Sequence, residues 1–300
     1  MKGLNLPYEP FIIADTYYLR NKRKYRLTSY QLSIPTCLLA ELRTHRLFRY
    51  GDSDFSINAN SDRAIPISKK IDNVLKKPYL PIVTLKNKGM TAIEDNIDEV
   101  LEKKIIEEYS YSMSKAINSV KNLDSLGASK QFVNRLLMPF SYSDVIITGD
   151  NECFNNFFSL RTTIDTEPNF RYIANIMLNE YKTNKPKRSD YHIAFEKDID
   201  NQFPNLSLDL KVKVSMSMCA RISYDNENIE SLEKHIERTD RCLKNKHMSI
   251  AEHQAIPLNH FNYKCDKELR SLCKNLNGFV TFRALYENSI NLNQLRYRYL

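Results

Sequence analysis

Ten apolar residues, Ile93, Ile97, Val100, Leu101, Ile105, Tyr109, Met113, Ala116, Ile117 and Val120, recur at helical spacing. They place one apolar stripe on a helix of about seven turns. A stripe of that length is expected to be core, and it commits the chain to a fold with at least one long packed helix. With 42% hydrophobic residues in 300, enough apolar surface exists to bury a sizeable core, which argues against a disordered chain.

The rest of the chain mixes helix and strand signals. Phe11 to Ile13 and the partly alternating stretch Tyr25 to Ile34 predict two opening strands, after which Pro35 starts a helix running to about Arg46. Residues 48–61 are rich in Gly, Asp, Ser and Asn and are expected to be a loop, and a helix resumes over Ile65 to Leu75. Gly127 breaks the chain before a short helix, Ala128 to Met138. A strand follows over Ser143 to Thr148, then a helix over Asn151 to Arg161 and another opened by Pro168. Lys182 to Asp190 is polar and contains Pro, as a surface linker would be. Beyond it, Met216 to Ser223 fits a helix or a strand, and a helix is expected over Ile229 to Leu243 with Ile229, Leu232, Ile236 and Leu243 inward. Ala255 to Tyr263 and Phe279 to Leu285 fit strands. Without a regular βαβ rhythm, the expected class is α+β, a mixed or antiparallel sheet flanked by long helices. One catalytic domain over 1–300 is expected, with a linker or insertion near 182–210.

Composition narrows the chemistry. The six cysteines form no Cys-x-x-Cys pair, so they are expected to be reduced and mostly buried. The six histidines form no His-Glu-x-x-His pair, so no metal site is expected. No run of about 18 apolar residues occurs and the start lacks a signal-peptide pattern, so an intracellular, cytoplasmic protein is expected. The net charge of +8 suits nucleic acid or an enzyme steering anionic ligands. The basic residues are scattered, and the two densest patches, Arg20 to Arg26 and Lys182 to Arg188, are expected to be solvated faces, which makes nucleic acid the weaker choice.

Only six glycines occur and none forms a phosphate loop or dinucleotide fingerprint, so a nucleotide must be held by side chains and helix termini. The richest polar cluster is Arg43-Thr44-His45-Arg46, followed by Ser56-Ile57-Asn58-Ala59-Asn60-Ser61-Asp62-Arg63. Arginines at a helix end and a Ser-x-Arg element at a second helix start suit bidentate capture of phosphate. The competing structural reading is a helix C-terminus whose cations complement its dipole, followed by an N-cap Ser.

The triplet ending in His45-Arg46 and the Ser61-x-Arg63 element resemble the signature of the flavin-dependent thymidylate synthases. Asn134-Arg135-Leu136-Leu137-Met138-Pro139 and Asn155-Asn156-Phe157-Phe158-Ser159-Leu160-Arg161 resemble two further segments of that family in the same order. A fourth block, Cys219-Ala220-Arg221-Ile222-Ser223-Tyr224 with Ile250-Ala251-Glu252-His253-Gln254, is similar to one that precedes the signature in compact members. Here it follows, as in a circularly permuted, phage-type layout, which would put the protein in the cytoplasm of a host cell.

The resemblance implies a homotetramer with active sites formed between subunits, binding FAD and dUMP, with NADPH and methylenetetrahydrofolate as co-substrates and dTMP as product. It implies Arg161 and Ser61 as catalytic residues, and Glu41, Ser61, Arg63, Arg135 and Arg161 as the dUMP site, with Arg63 on the phosphate and Arg161 facing the uracil. His45, Arg46, Asn58, Asn156 and His253 would line FAD, and Ser56 belongs to the same substrate loop. Two departures stand out. Thr44 replaces the first Arg of the triplet, with Arg43 displaced by about 100° on a helix, and the loop between Arg46 and Ser56 is longer than the family's. Two other readings are a flavin-dependent dUMP or dCMP hydroxymethylase serving modified DNA, and a non-catalytic nucleic-acid-binding protein.

Overall fold

The computed structural model describes residues 3–45, 56–59 (backbone), 65–85, 97–222, 230–258, 271–274 and 276–290. Its centre is a five-stranded sheet. Strands β1 (Phe11–Arg20) and β2 (Arg23–Pro35) form a hairpin. The two linking residues, Asn21 at φ 50° and Lys22 at φ 63°, are both left-handed, as the tightest hairpin turns require. Strand β4 (Tyr142–Asp150) runs antiparallel to β2, β3 (Ser56–Ala59) runs antiparallel to β4, and the two-residue β5 (Lys187–Arg188) runs parallel to β1. The order is β3-β4-β2-β1-β5, and the single parallel pair makes the sheet mixed.

Strand alternation sorts the side chains onto two faces. On β2 and β4, Tyr30, Leu32, Ile34, Val145 and Ile147 face one way and join Phe154, Phe157, Phe158, Phe170, Ile173 and Met177 in a core cluster. That face is covered by α5 (Asn151–Arg161) and α6 (Pro168–Thr183). Leu27 and Ile146 face the opposite way, into a second cluster. It is built from β6 (His192–Ile193), β7 (Gln254–Pro257) and β8 (Phe279–Thr281), an antiparallel three-stranded sheet, with α7 (Glu196–Gln202), α8 (Leu208–Cys219) and the end helix Phe282–Glu287. A third cluster joins α2 (Ile67–Lys76), α3 (Glu99–Ser125) and a 3-10 turn, Asn134–Phe140.

Several expectations are corrected. The helix expected from Pro35 to Arg46 is shorter: Pro35 ends β2, and a 3-10 turn leads into α1 (Leu39–Arg43). Within the loop expected at 48–61, residues 56–59 form β3; the rest of that stretch lies outside the described residues. Ile93 lies outside the described residues; among the rest of the long stripe, full burial is confined to the C-terminal end, at Ile117 and Val120, whereas Val100 is 60% and Leu101 40% exposed. Ala128 to Met138 is a single turn, α4 (Lys130–Val133), that tightens into the 3-10 turn where Pro139 denies a backbone donor. Helix α9 (Leu232–Lys244) buries His235 and Thr239, which hydrogen-bond Ser217 Oγ at 3.0 Å and the Lys213 carbonyl at 2.6 Å; Leu232, Ile236 and Leu243 are half-buried. A polar helix interface is invisible to a count of apolar residues. Phe279 to Leu285 is a strand of three residues and then a helix, capped by the Thr281 hydroxyl accepting from the Ala284 N–H. Residues 182–210 are occupied by the end of α6, then β5, β6 and α7.

Of the two basic patches, Arg26 is not a solvated residue. Its guanidinium donates to both Asp15 carboxylate oxygens at 2.8 and 2.6 Å and lies 3.7 Å over the Tyr181 ring. Thr28 and Asn184 complete the shell of Asp15, at 3.0 and 2.6 Å. A bidentate pair so enclosed stitches β1, β2 and α6 together. Cys153, Cys219 and Cys273 are buried, Cys242 is half-buried, and Cys37 is exposed.

Candidate active site

Helix α5 begins at Asp150, whose carboxylate accepts from the backbone N–H groups of Glu152 and Cys153, both at 2.9 Å. Phe154, Phe157 and Phe158 anchor the helix to the sheet, so its last residue, Arg161, is delivered to a defined place. Opposite it, α1 ends in Thr44, whose hydroxyl donates to the Glu41 carbonyl at 2.7 Å. This presents Glu41, Thr44 and His45 together.

Arg161 gathers all three. Its Nη1 donates to Glu41 Oε1 at 2.5 Å, its Nη2 reaches Thr44 Oγ1 at 3.5 Å, and its Nε donates to His45 Nε2. The guanidinium also lies 5.1 Å over the Phe170 ring. His45 is buried with Phe157 edge-on at 5.0 Å and Phe170 stacked at 6.2 Å. Burial, helped by the Arg161 charge, pushes its pKa down to about 4. At neutral pH it is therefore an uncharged imidazole whose Nε2 accepts from the arginine. Burial also holds the Glu41 carboxyl above its ordinary range despite Arg161, with Glu167 adding to the effect. The result is a cation fixed by three partners at the C-terminal end of α1, with a fifth of its side chain exposed. Thr44, the departure from the family triplet, takes part through its hydroxyl, where an arginine would have set a second positive charge beside Arg161.

The other expected residues fall elsewhere. Asn156 is half-buried on α5, five residues from Arg161 and so about 140° around the helix. Arg135 is exposed on the 3-10 turn, whereas the neighbouring Asn134 is buried and donates to the Ile65 carbonyl at 2.9 Å. Ser56 and Asn58 lie on β3, in register with Thr148 and Ile146. Arg46, Ser61 and Arg63 lie outside the described residues.

His253 belongs to the opposite face of the central sheet from Arg161. It is fully buried, and its Nδ1 lies 2.9 Å from Thr148 Oγ1. Thr148 Oγ1 is 2.5 Å from Ser29 Oγ, Ser29 Oγ is 2.8 Å from His192 Nε2, and His192 Nδ1 is 2.8 Å from Thr16 Oγ1. This five-member chain crosses β1, β2 and β4 and joins both histidines. Desolvation pushes both imidazoles down to about 3, so both are neutral at pH 7. Among the described residues, His253 Nε2 has no hydrogen-bond partner. Sequence inspection missed Thr16, Ser29, Thr148 and His192. Isolated Ser, Thr and His in strands carry no motif, so no local signal in the sequence marked them.

Among the described residues no three His, Cys, Asp or Glu side chains converge as metal ligands, and no helix is long and apolar enough to cross a membrane. No family model and no curated protein matches the chain. Among solved structures, it is similar to PolB of Streptomyces cacaoi, a UMP/dUMP methylase bound with 5-Br UMP, at 15% identity and a TM-score of 0.43, covering 52% of this chain and 69% of that one. The same enzyme bound with 5-Br dUMP gives 15% identity and a TM-score of 0.42, covering 52% of this chain and 66% of that one.

Proposed function

We propose that the chain is a flavin-dependent thymidylate synthase that converts dUMP to dTMP with methylenetetrahydrofolate and NADPH, built in a permuted segment order. The observation that carries this reading is the convergence of Arg161 with Glu41, Thr44 and His45, more than a hundred positions away, since His45 and Arg161 belong to two of the resembling motifs. Arg161, held by an anion, a hydroxyl and a neutral imidazole, is a preorganised positive charge suited to polarising a uracil ring. The low basicity of His45 matters here, because a protonated imidazole would push the guanidinium away. Ser61 and Arg63 complete the nucleotide site, with Arg63 on the phosphate, and Arg135 contributes a further cation.

The residues fit a flavin at the other centre: His253 carries a buried ring nitrogen without a partner among the described residues, as expected of a group whose partner arrives with a ligand. His45, Arg46, Asn58, Asn156 and His253 would hold FAD, which when bound supplies the reducing equivalents that complete the methyl group. The placement of Arg161 and His253 on opposite faces of one sheet supports a reading in which each site of a homotetramer draws the two from different protomers. The test is mass spectrometry of the nucleotide after incubating the protein with FAD, NADPH, methylenetetrahydrofolate and dUMP. Gain of a methyl group is expected. A hydroxymethyl product, or reaction only with dCMP, would replace this reading with the hydroxymethylase.

A further inference from the structure

The chain Thr16–His192–Ser29–Thr148–His253 has four contacts and, with both imidazoles neutral, five protons to place, one on each hydroxyl and one on each ring. One proton must therefore lack an acceptor within the chain. Both His192 ring nitrogens lie in contacts of the chain, so the alternative is one of the three hydroxyls, and an orphan proton there leaves His253 Nε2 as a bare, buried lone pair in addition. Placed on His253 Nε2, it leaves no other group of the chain unsatisfied. Unmatched buried groups are costly, so the second arrangement is favoured. Every donation then runs one way: Thr16 to His192 Nδ1, His192 Nε2–H to Ser29, Ser29 to Thr148, and Thr148 to His253 Nδ1.

We infer that Thr16, His192, Ser29 and Thr148 are positioning residues that fix His253 as the Nε2–H tautomer and aim that N–H at an acceptor atom of the bound cofactor. The identity of the cofactor as flavin rests on the functional reading above; the tautomer rests on the hydrogen-bond count alone. A fully covered donor gains its partner only when the ligand arrives, so the contact contributes to affinity without competition from bulk water. The acceptor on the ligand is a carbonyl oxygen or an unprotonated ring nitrogen, both of which an isoalloxazine ring carries.

The test is ¹⁵N NMR of histidine-labelled, full-length protein at pH 7, with the His192 and His253 signals assigned by their loss in His192→Gln and His253→Gln. Both rings are expected as Nε2–H tautomers in the unaltered protein, a measurement that needs no variant to fold. Thr148→Val removes the donor to Nδ1, and should redistribute the His253 proton and weaken FAD binding about tenfold, the loss of one hydrogen bond. Thr148→Ser should restore both. An Nδ1–H tautomer or a protonated ring at His253 in the unaltered protein would overturn the inference. So would a tautomer shift in Thr148→Val with unchanged FAD affinity. If the unaltered protein shows the expected tautomers but binds no FAD, the flavin reading fails while the hydrogen-bond chain stands.

Discussion

Arg161 is the residue on which the proposed chemistry depends, and its three partners define what a substitution removes. Arg161→Ala is expected to abolish dTMP formation while circular dichroism and the melting transition stay close to the parent's, because the side chain lies at a helix end beside solvent. Arg161→Lys should rescue poorly, since one ammonium cannot satisfy Glu41, Thr44 and His45 from one point; rates near the parent's in either variant would remove Arg161 from the reaction. A second residue-scale consequence follows from the histidines. His45, His192 and His253 are held near 4, 3 and 3 in the folded chain, below the ordinary value of about 6.5 that they regain on unfolding. Above that value both states are neutral. As pH falls below it the unfolded chain takes up protons that the folded chain refuses, so stability declines, by up to about 1.4 kcal/mol per pH unit for each such histidine. Urea unfolding at pH 7.5 and pH 5 should show the lower midpoint at pH 5, and equal midpoints would mean that these rings are not buried neutral. Glu230 has the opposite sign of charge and a separate window. The Arg238 guanidinium, seconded by Arg221, pulls its carboxyl down to about 2, so its contribution is complete above the ordinary carboxylate pKa and fades between about 4 and 2. Glu230→Gln should remove that last part of the acid transition.

At the scale of elements, one cap and one close approach carry the architecture around the site. Asp150 caps α5 and also accepts from the Asn277 backbone N–H at 2.7 Å, tying the helix that bears Arg161 to the strand connection before β8. Asp150→Ala should cost about 1–2 kcal/mol for the lost cap, and more for the orphaned Asn277 donor; a change in unfolding free energy below half a kcal/mol, about the floor for cap losses, would show that the cap is not holding the helix. Gly278 sits at φ +87°, and a Cβ there would come within 2.5 Å of the Tyr25 ring and 2.7 Å of the Tyr18 hydroxyl. The Tyr18 hydroxyl itself donates to the Gly278 carbonyl at 2.6 Å. Gly278→Ala is therefore strained both in backbone and in space, and a lower yield of folded protein or a clearly reduced melting temperature is expected. Asn151 to Arg161 and Pro168 onward matched their sequence expectation because caps, a proline at the first turn and apolar spacing all agree there. Helix α9 formed where its spacing predicted, but its polar buried face was not foreseen, and the strands within 182–210 did not announce themselves because they are two residues long.

At the scale of the whole molecule, the placement of Arg161 and His253 on opposite faces of one sheet makes subunit sharing a testable property. Arg161→Ala and His253→Ala, each inactive alone, should regain activity when co-expressed or mixed and reassembled. With random assortment about one quarter of sites would carry both native residues. Recovery of no activity, in oligomers shown by mass to contain both variants, would place the two residues in one protomer's site or outside the reaction. The sequence by itself determined the mixed helix and strand character, the two best-capped helices, and the candidate residues Glu41, His45 and Arg161, because local spacing, caps and short motifs are written in neighbouring residues. Only the tertiary structure decided that Val100 and Leu101 of the long stripe lie exposed, that Arg26 is an enclosed ion pair, and that Thr16, Ser29, Thr148 and His192 lead to His253. Those facts depend on which elements become neighbours and which face each side chain takes, and in the chain leading to His253 that is set by pairings such as Ser29 with Thr148 and Thr16 with His192, more than a hundred positions apart.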